Sequence, residues 1–394
     1  MSSSSNEVHD GSTKTLRLGT ATSVAEREAC YRLRYRVSVE EMGKQLGAAD
    51  HARKLLTDDF DRLGTIFYVA NDAEIVATLR NLWAAQAVPE IHVAHYGLNT
   101  LFARVPREQI VFTGHLIIAP EWRQTKAFAY LLEAAYRDGR DKGAWLDFVH
   151  CTPALVALYE VMGFRRFKPN IADPDVGLRI PVALVADDVE HLKRTRSPLA
   201  RFAADYANDS EHGRWFTSTF VEYAQPSCAR VMGTDDFLSY LTDHIYMKDH
   251  PLLRGLEPDE VDHVVRSGTI IRVREGEAIV RAGDAGSEMY TLLSGAAEVR
   301  RTAGNGSFVV LSTLGRGQVF GEMALLRRQP RTADVIAIGD SELLMLDRDF
   351  FERLTASKPA VAARVLWNLS ITLCERLDMT TGSLLAAVGQ RAVS

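Results

Sequence analysis

Apolar positions recur at helical spacing over residues 24–42, with Ala29, Leu33 and Val37 near one face, which predicts a helix there. Residues 65–70 and 75–80 are β-branched runs on either side of the Asn71-Asp72 turn and read as strands. A further strand pattern over 110–118 is closed by Pro120. The helical period returns over 126–142, a strand follows at 145–149, and a helix at 153–162. This alternation across residues 15–185 predicts a mixed α/β domain. Residues 186–248 lose the strand signal and read as a helical linker. From 249 to 378, short β-rich runs are punctuated by glycines, among them Gly276, Gly283, Gly295 and Gly321, which predicts a β-roll with flanking helices. Its last helix, 359–377, carries Val361, Val365, Leu366, Leu369 and Leu373 as a core stripe or a homodimer seam. Residues 1–14 read as a disordered tail and 379–394 as a short one, so the fold class is α+β and multidomain.

At 394 residues the chain exceeds one ordinary core. Its net charge of -5 supplies no basic footprint for DNA. The four cysteines lie far apart, with no CxxC pair and no Cys/His cluster at zinc spacing. They read as free thiols of a reducing cytoplasm, and no metal site is expected. The polar N-terminus lacks a signal-peptide core, and no apolar stretch reaches the ~18 residues of a membrane span.

The segment 320–335 concentrates chemistry. Gly321 permits close backbone approach, and a helical turn after it presents unsatisfied amides to an anion. Arg331 adds a charge-assisted contact to a phosphate, while the acceptor-only carboxylate of Glu322 suits a sugar hydroxyl. This segment, with 276–284 and 289–295 upstream, resembles the phosphate-binding cassette of the cyclic-nucleotide-binding domain family. The resemblance assigns Arg331 to the cyclic phosphate and Glu322 to the ribose 2′-hydroxyl. Gly321 and the amides of Met323, Ala324 and Ala333 complete the pocket, and Thr332 faces the base; the ligand is cAMP or cGMP. Asp334 would repel the phosphate unless it points away or pairs with Arg327 or Arg328. The few residues after 377 leave no room for a helix-turn-helix domain, so a DNA-binding output is not expected.

In the N-terminal region a strand runs into a loop holding Arg123, Gln124, Thr125 and Lys126, and a helix starts at once. Basic groups beside a helix N-terminus suit phosphate. Together with Tyr159, on a helix ending at Gly163, this resembles the GNAT acyltransferase superfamily. In it the loop grips the pantetheine arm of an acyl carrier and a tyrosine protonates the leaving thiolate. Lys126 and Phe128 stand where that loop usually has glycines. Residues 31–43, 58–61 and 77–80 resemble acyl-homoserine-lactone synthases and long-chain N-acyl amino acid synthases, many of which take acyl groups from acyl carrier protein. By that resemblance Arg34, Arg36 and Arg80 meet an acidic carrier or a carboxylate, and Asp59 or Asp61 orients the amine. The Glu and Arg of the lactone synthases are missing from 112–116, so a lactone product is not expected. His115 on its apolar strand reads as structural. Asp147 and His150 are candidate bases for the amine, His150 being preferred by its ordinary pKa.

The sequence therefore predicts a cytoplasmic, cyclic-nucleotide-regulated N-acyltransferase. It would move an acyl group from acyl-CoA or acyl carrier protein to an amine. Two alternatives stay open: a protein lysine acetyltransferase using acetyl-CoA, and a non-catalytic sensor of cyclic nucleotide and acyl thioester.

Overall fold

A computed structural model describes residues 6–9, 15–42, 44, 46–123, 125–173, 177–223, 250–284, 286–302, 307–327 and 329–393. The chain divides into two units, Met1–Pro226 and Ser227–Ser394.

The first unit is a nine-stranded sheet with helices on both faces. Its strands are β1 (Asn6–His9), β2 (Thr15–Thr20), β5 (Thr65–Ala70), β6 (Ile75–Trp83), β7 (Ile110–Ile118), β8 (Leu146–Cys151), β11 (Gly177–Val185) and β10 (Ile171–Asp173), in that spatial order. β9 (Arg165–Arg166) also pairs with β11. β3 (Ala49–Asp50) and β4 (Leu55–Leu56) make a small separate ladder. Residues 6–9, read as disordered tail, instead pair antiparallel with β2.

α1 (Val24–Tyr35) starts at a capping box between Ser23 and Glu26, then widens into a π-helical turn, Arg36–Glu41. α4 (Ala127–Asp141) packs Ala127, Leu131 and Ala135 into the same apolar cluster as Leu33 and Val37 of the α1 segment. A second cluster gathers Tyr96, Leu98 and Leu101 from the short helices α2 (Glu90–Tyr96) and α3 (Leu98–Leu101) around Phe112, Phe148 and Phe167. α5 (Pro153–Met162) ends at Gly163, whose φ of +102° closes the helix in the left-handed region. The described part of the predicted linker forms α6 (Val189–Arg194), α7 (Ala200–Ala203) and α8 (Ser210–Thr219). Phe216 of α8 is buried in the second cluster, so this part is a covering layer of the first unit. Residues 224–248 of that prediction lie outside the described residues.

Strand pairing sets the site. All neighbours in the sheet are antiparallel except β7 and β8, which run parallel. Their register covers only Ile110↔Leu146, Val111↔Asp147 and Phe112↔Phe148. Beyond that point the two strands part, and a wedge opens between residues 113–118 and 149–151.

The second unit stacks two four-stranded sheets. One is β12 (Thr269–Val273), β19 (Ser341–Leu346), β14 (Met289–Ser294) and β17 (Val319–Phe320); the other is β13 (Ala278–Val280), β18 (Asp334–Ala337), β15 (Ala297–Thr302) and β16 (Phe308–Leu314). α9 (Pro258–Ser267) precedes the roll, α10 (Glu322–Arg327) interrupts it, and α11 (Arg348–Ser357) and α12 (Pro359–Val393) follow it. Val361, Val365 and Leu369 of α12 join the core, whereas Leu366 is half exposed. The helix does not stop near 377: residues predicted as a tail continue it to Val393. Among the described residues no helix is long and apolar enough to cross a membrane.

Candidate functional site

In the roll, Gly321 takes φ +80°, and a Cβ there would lie 2.7 Å from Nη1 of Arg331 and 2.9 Å from the Glu288 carbonyl oxygen. The glycine is thus required by the approach of the Arg331 side chain. Arg331 is held from both ends of its backbone: its N–H donates to Asp284 O at 2.9 Å, and its carbonyl accepts from Gly283 N at 2.8 Å. Its buried guanidinium donates to Glu288 O (2.6 Å), Gly321 O (3.0 Å) and the Glu288 carboxylate (2.8 Å). Glu322 is also buried, and its Oε1 accepts from Nη1 of Arg376 on α12 at 3.1 Å. Arg376 further donates to the Val319 carbonyl. Both charged members of the cassette are therefore paired internally, with Glu288 and Arg376. Ala324 is buried, Met323 and Thr332 are exposed and touch at 3.9 Å, and Ala333 is half-buried. Asp334 points away from the cassette: its Oδ1 accepts from Ala282 N at 2.8 Å. That bond, and not a pair with Arg327, holds the carboxylate; Arg328 lies outside the described residues.

In the first unit the predicted substrate residues separate. Arg34 is fully buried and donates from Nη1 to both oxygens of Asp61 at 2.8 Å. Arg80 donates to Asp61 at 3.0 Å and makes a closer bond to Asp58. Asp61 accepts from Asp58 N at 2.9 Å, and Asp58 accepts from His115 Nε2 at 2.7 Å. This cage uses Asp58, not the exposed Asp59. Arg34 and Arg80 are consumed within it, so neither meets an acidic carrier. Arg36 stays outside, paired with Glu74 at 3.0 Å and Glu121 at 3.8 Å. Burial alone would raise the Asp58 carboxyl, but the bonds from His115 and Arg80 hold it well below the usual carboxylate range. Ligand atoms of Asp58, Asp61 and His115 lie within 4.8 Å of one another, yet two guanidinium groups already neutralise both carboxylates.

The predicted carrier loop is short and tight. Pro120–Trp122 forms a 3-10 turn, and Thr125 Oγ1 donates to Trp122 O at 2.7 Å while accepting from Ala127 N at 3.2 Å. Arg123 is committed to Glu41 at 2.7 Å. Lys126 is exposed at the start of α4; Gln124 lies outside the described residues.

Asp147, paired with Val111, sits at the closed end of the wedge. Its Oδ1 accepts from Thr113 N at 3.1 Å, and its Oδ2 lies 2.9 Å from Thr113 Oγ1, itself 2.9 Å from Asn81 Oδ1. A hydroxyl has one proton, so it donates to only one of these two acceptors. A protonated Asp147 resolves the conflict by donating to Thr113, which donates to Asn81. Burial pushes the Asp147 carboxyl up to about 7, in line with this arrangement. Burial also pushes the Tyr159 phenol far above its ordinary value, and the charges of Cys151 and Asp147 raise it further. His150 is stacked on Tyr96 at 4.4 Å, with His92 at 5.1 Å and His95 at 5.4 Å. Burial, then repulsion from His92 and His95, pulls it to about 2. The order expected from ordinary pKa values is thus reversed: Asp147 is poised near neutrality and His150 is not. The sequence reading missed Glu288, Arg376, Thr113, Asn81 and Asp58. Only Asp58 carried a local signal, as part of the 58–61 acidic run.

The roll thus brings its glycine, glutamate and arginine together on one cassette, and the sheet of the first unit parts between two parallel strands. The family model for the cyclic nucleotide-binding domain matches residues 270–358, and that for the acetyltransferase (GNAT) domain matches residues 33–133. The chain thus carries an N-terminal GNAT acetyltransferase domain and a C-terminal cyclic nucleotide-binding domain. The cassette lies within the first match; Asp147, His150 and Tyr159 lie beyond the second. The chain is 37% identical over 131 residues to a cyclic AMP receptor protein of Thermus thermophilus, covering 33% of this chain and 59% of that one. It is 30% identical over 197 residues to Glutaminase 1 of Bradyrhizobium diazoefficiens, covering 50% of this chain and 30% of that one. The crystal structure of the Thermus thermophilus catabolite activator protein aligns with a TM-score of 0.32 at 34% identity, over 35% of this chain and 63% of that one. The chain therefore spans less than two thirds of the length of each of these relatives.

Proposed function

We propose that the protein is an N-acyltransferase whose rate is set by a cyclic nucleotide, and that it makes long-chain N-acyl amino acids from an acyl thioester. The observation that carries the reading is the wedge between β7 and β8, with Asp147 held near neutrality at its closed end. A thioester entering the wedge meets an acid matched to its leaving group. A thiol has a pKa of about 8.5, so an acid near 7 protonates a departing thiolate downhill. Tyr159, whose phenol is pushed far up, does so uphill; it acts instead as a neutral hydrogen-bond donor to the sulfur. The pairing of Arg123 with Glu41 favours acyl carrier protein over coenzyme A, because a pyrophosphate held by Arg123 would have to displace that carboxylate.

In the roll, Arg331 takes the cyclic phosphate and Glu322 the ribose, each exchanging an internal partner for the nucleotide. Dodecanoyl thioesters of acyl carrier protein and of coenzyme A, each offered with the proteinogenic amino acids, test the reading by mass spectrometry. N-acyl amino acids formed chiefly from the carrier thioester support it. Acetylation of protein lysines from acetyl-CoA, with no N-acyl amino acid, would replace it with a lysine acetyltransferase.

A further inference from the structure

The pairing of β6 with β7 slips by one residue: Thr78 faces Ile117, but Arg80 faces Gly114. One residue of β6, Leu79, thus opposes both His115 and Leu116. At this bulge His115 takes φ +50°, the left-handed region that costs a side-chain-bearing residue about 1 kcal/mol or more. The bulge changes which face His115 joins. Thr113 bonds Asn81, which donates to Ala135 O of α4, whereas His115 joins the cage of Asp58, Arg80 and Arg34 on the α1 side.

The histidine is oriented like a base. Nε2 lies 2.7 Å from a carboxylate held firmly ionised, so Nε2 carries the proton and Nδ1 the lone pair. Nδ1 makes no hydrogen bond among the described residues, and the side chain is 27% exposed, beside the buried Arg34, Arg80 and Asp61. Burial and the charges of Arg34 and Arg80 keep the imidazole neutral against the pull of Asp58 and Asp61. A purely structural histidine needs neither the left-handed backbone nor an open nitrogen.

We infer that His115 is the base that accepts the proton of the acceptor amine, with Asp58 as its positioning residue. The inference rests on the acyl-transfer reading. The amine nitrogen attacks the thioester carbonyl carbon, forming the C–N bond as the C–S bond breaks. The amine proton passes to Nδ1 of His115, and the thiolate takes the carboxyl proton of Asp147. His115 then returns its proton to solvent, and the Asp147 carboxylate regains one from solvent.

The test uses the full chain with dodecanoyl acyl carrier protein and the amino acid acceptor that the wild-type protein acylates. His115→Gln is expected to lower kcat/KM about a hundredfold with little change in donor KM, and to remove the acidic limb of the pH profile. His115→Ala is expected to regain rate when imidazole is added, a rescue that a structural role would not give. Asp58→Asn, checked for an unchanged melting profile, is expected to shift that limb to lower pH by removing a negative charge from beside His115. Wild-type turnover with an undiminished His115→Gln rate overturns the base assignment alone. A wild-type protein that acylates no amine overturns the acyl-transfer reading and the base with it.

Discussion

Replacing Asp147 by Asn tests whether a buried acid sits in the wedge. The asparagine keeps both hydrogen bonds, its oxygen accepting from Thr113 N and its amide donating to Thr113 Oγ1, so it imitates the protonated carboxyl. The wild-type group holds its proton to about pH 7 in the fold but only to about pH 4 in the unfolded chain. Because its folded pKa is raised, the native state binds the extra proton, and stability falls as pH rises across that window. The slope is about 1.4 kcal/mol per pH unit, for a ceiling of about 4 kcal/mol above pH 7. The variant lacks that loss. The two proteins are expected to unfold alike near pH 4, and the variant to be more stable by up to about 4 kcal/mol at pH 8. Urea unfolding followed by tryptophan fluorescence is suitable, since four of the five tryptophans, Trp83, Trp122, Trp145 and Trp215, lie in the first unit. The asparagine has no transferable proton, so acyl transfer should fall about a hundredfold even as stability rises. A variant less stable than wild type at pH 8, or a difference independent of pH, would refute a raised Asp147.

Four further substitutions separate the cages from their surroundings. Asp61→Asn leaves Arg34 buried without its counter-charge and should destabilise the first unit by about 3–5 kcal/mol, while Asp59→Asn should change melting little. Gly321→Ala drives a Cβ into Arg331 from a left-handed backbone and should weaken cAMP binding at least tenfold by calorimetry. Arg376→Ala frees Glu322 for the ribose and should tighten cAMP binding about threefold, the size expected of a partly exposed pair.

What the sequence made legible follows from locality. The cassette lies within one short segment, so Gly321, Glu322 and Arg331 stood out together. Their partners did not: Glu288 comes from a preceding loop and Arg376 from the distant α12. The order of strands and helices around the wedge was readable because periodicity reports which face is buried. The roles of Asp147 and His150 were not, because burial reversed their ordinary pKa values. Asp58 and Asp59 are adjacent in an acidic run, and only the fold says which turns inward. His115 was read as structural because alternation along an apolar strand predicts it so, and the β-bulge that breaks the alternation leaves no trace in composition.

Control of acyl transfer by the roll is tested by one titration. The initial rate of amine acylation is measured against cAMP and cGMP for the wild-type chain and for Arg331→Ala. A saturable change in wild-type rate with one nucleotide, absent from the variant, is the predicted result. A rate indifferent to both nucleotides in wild type, or an equal response in the variant, would contradict it.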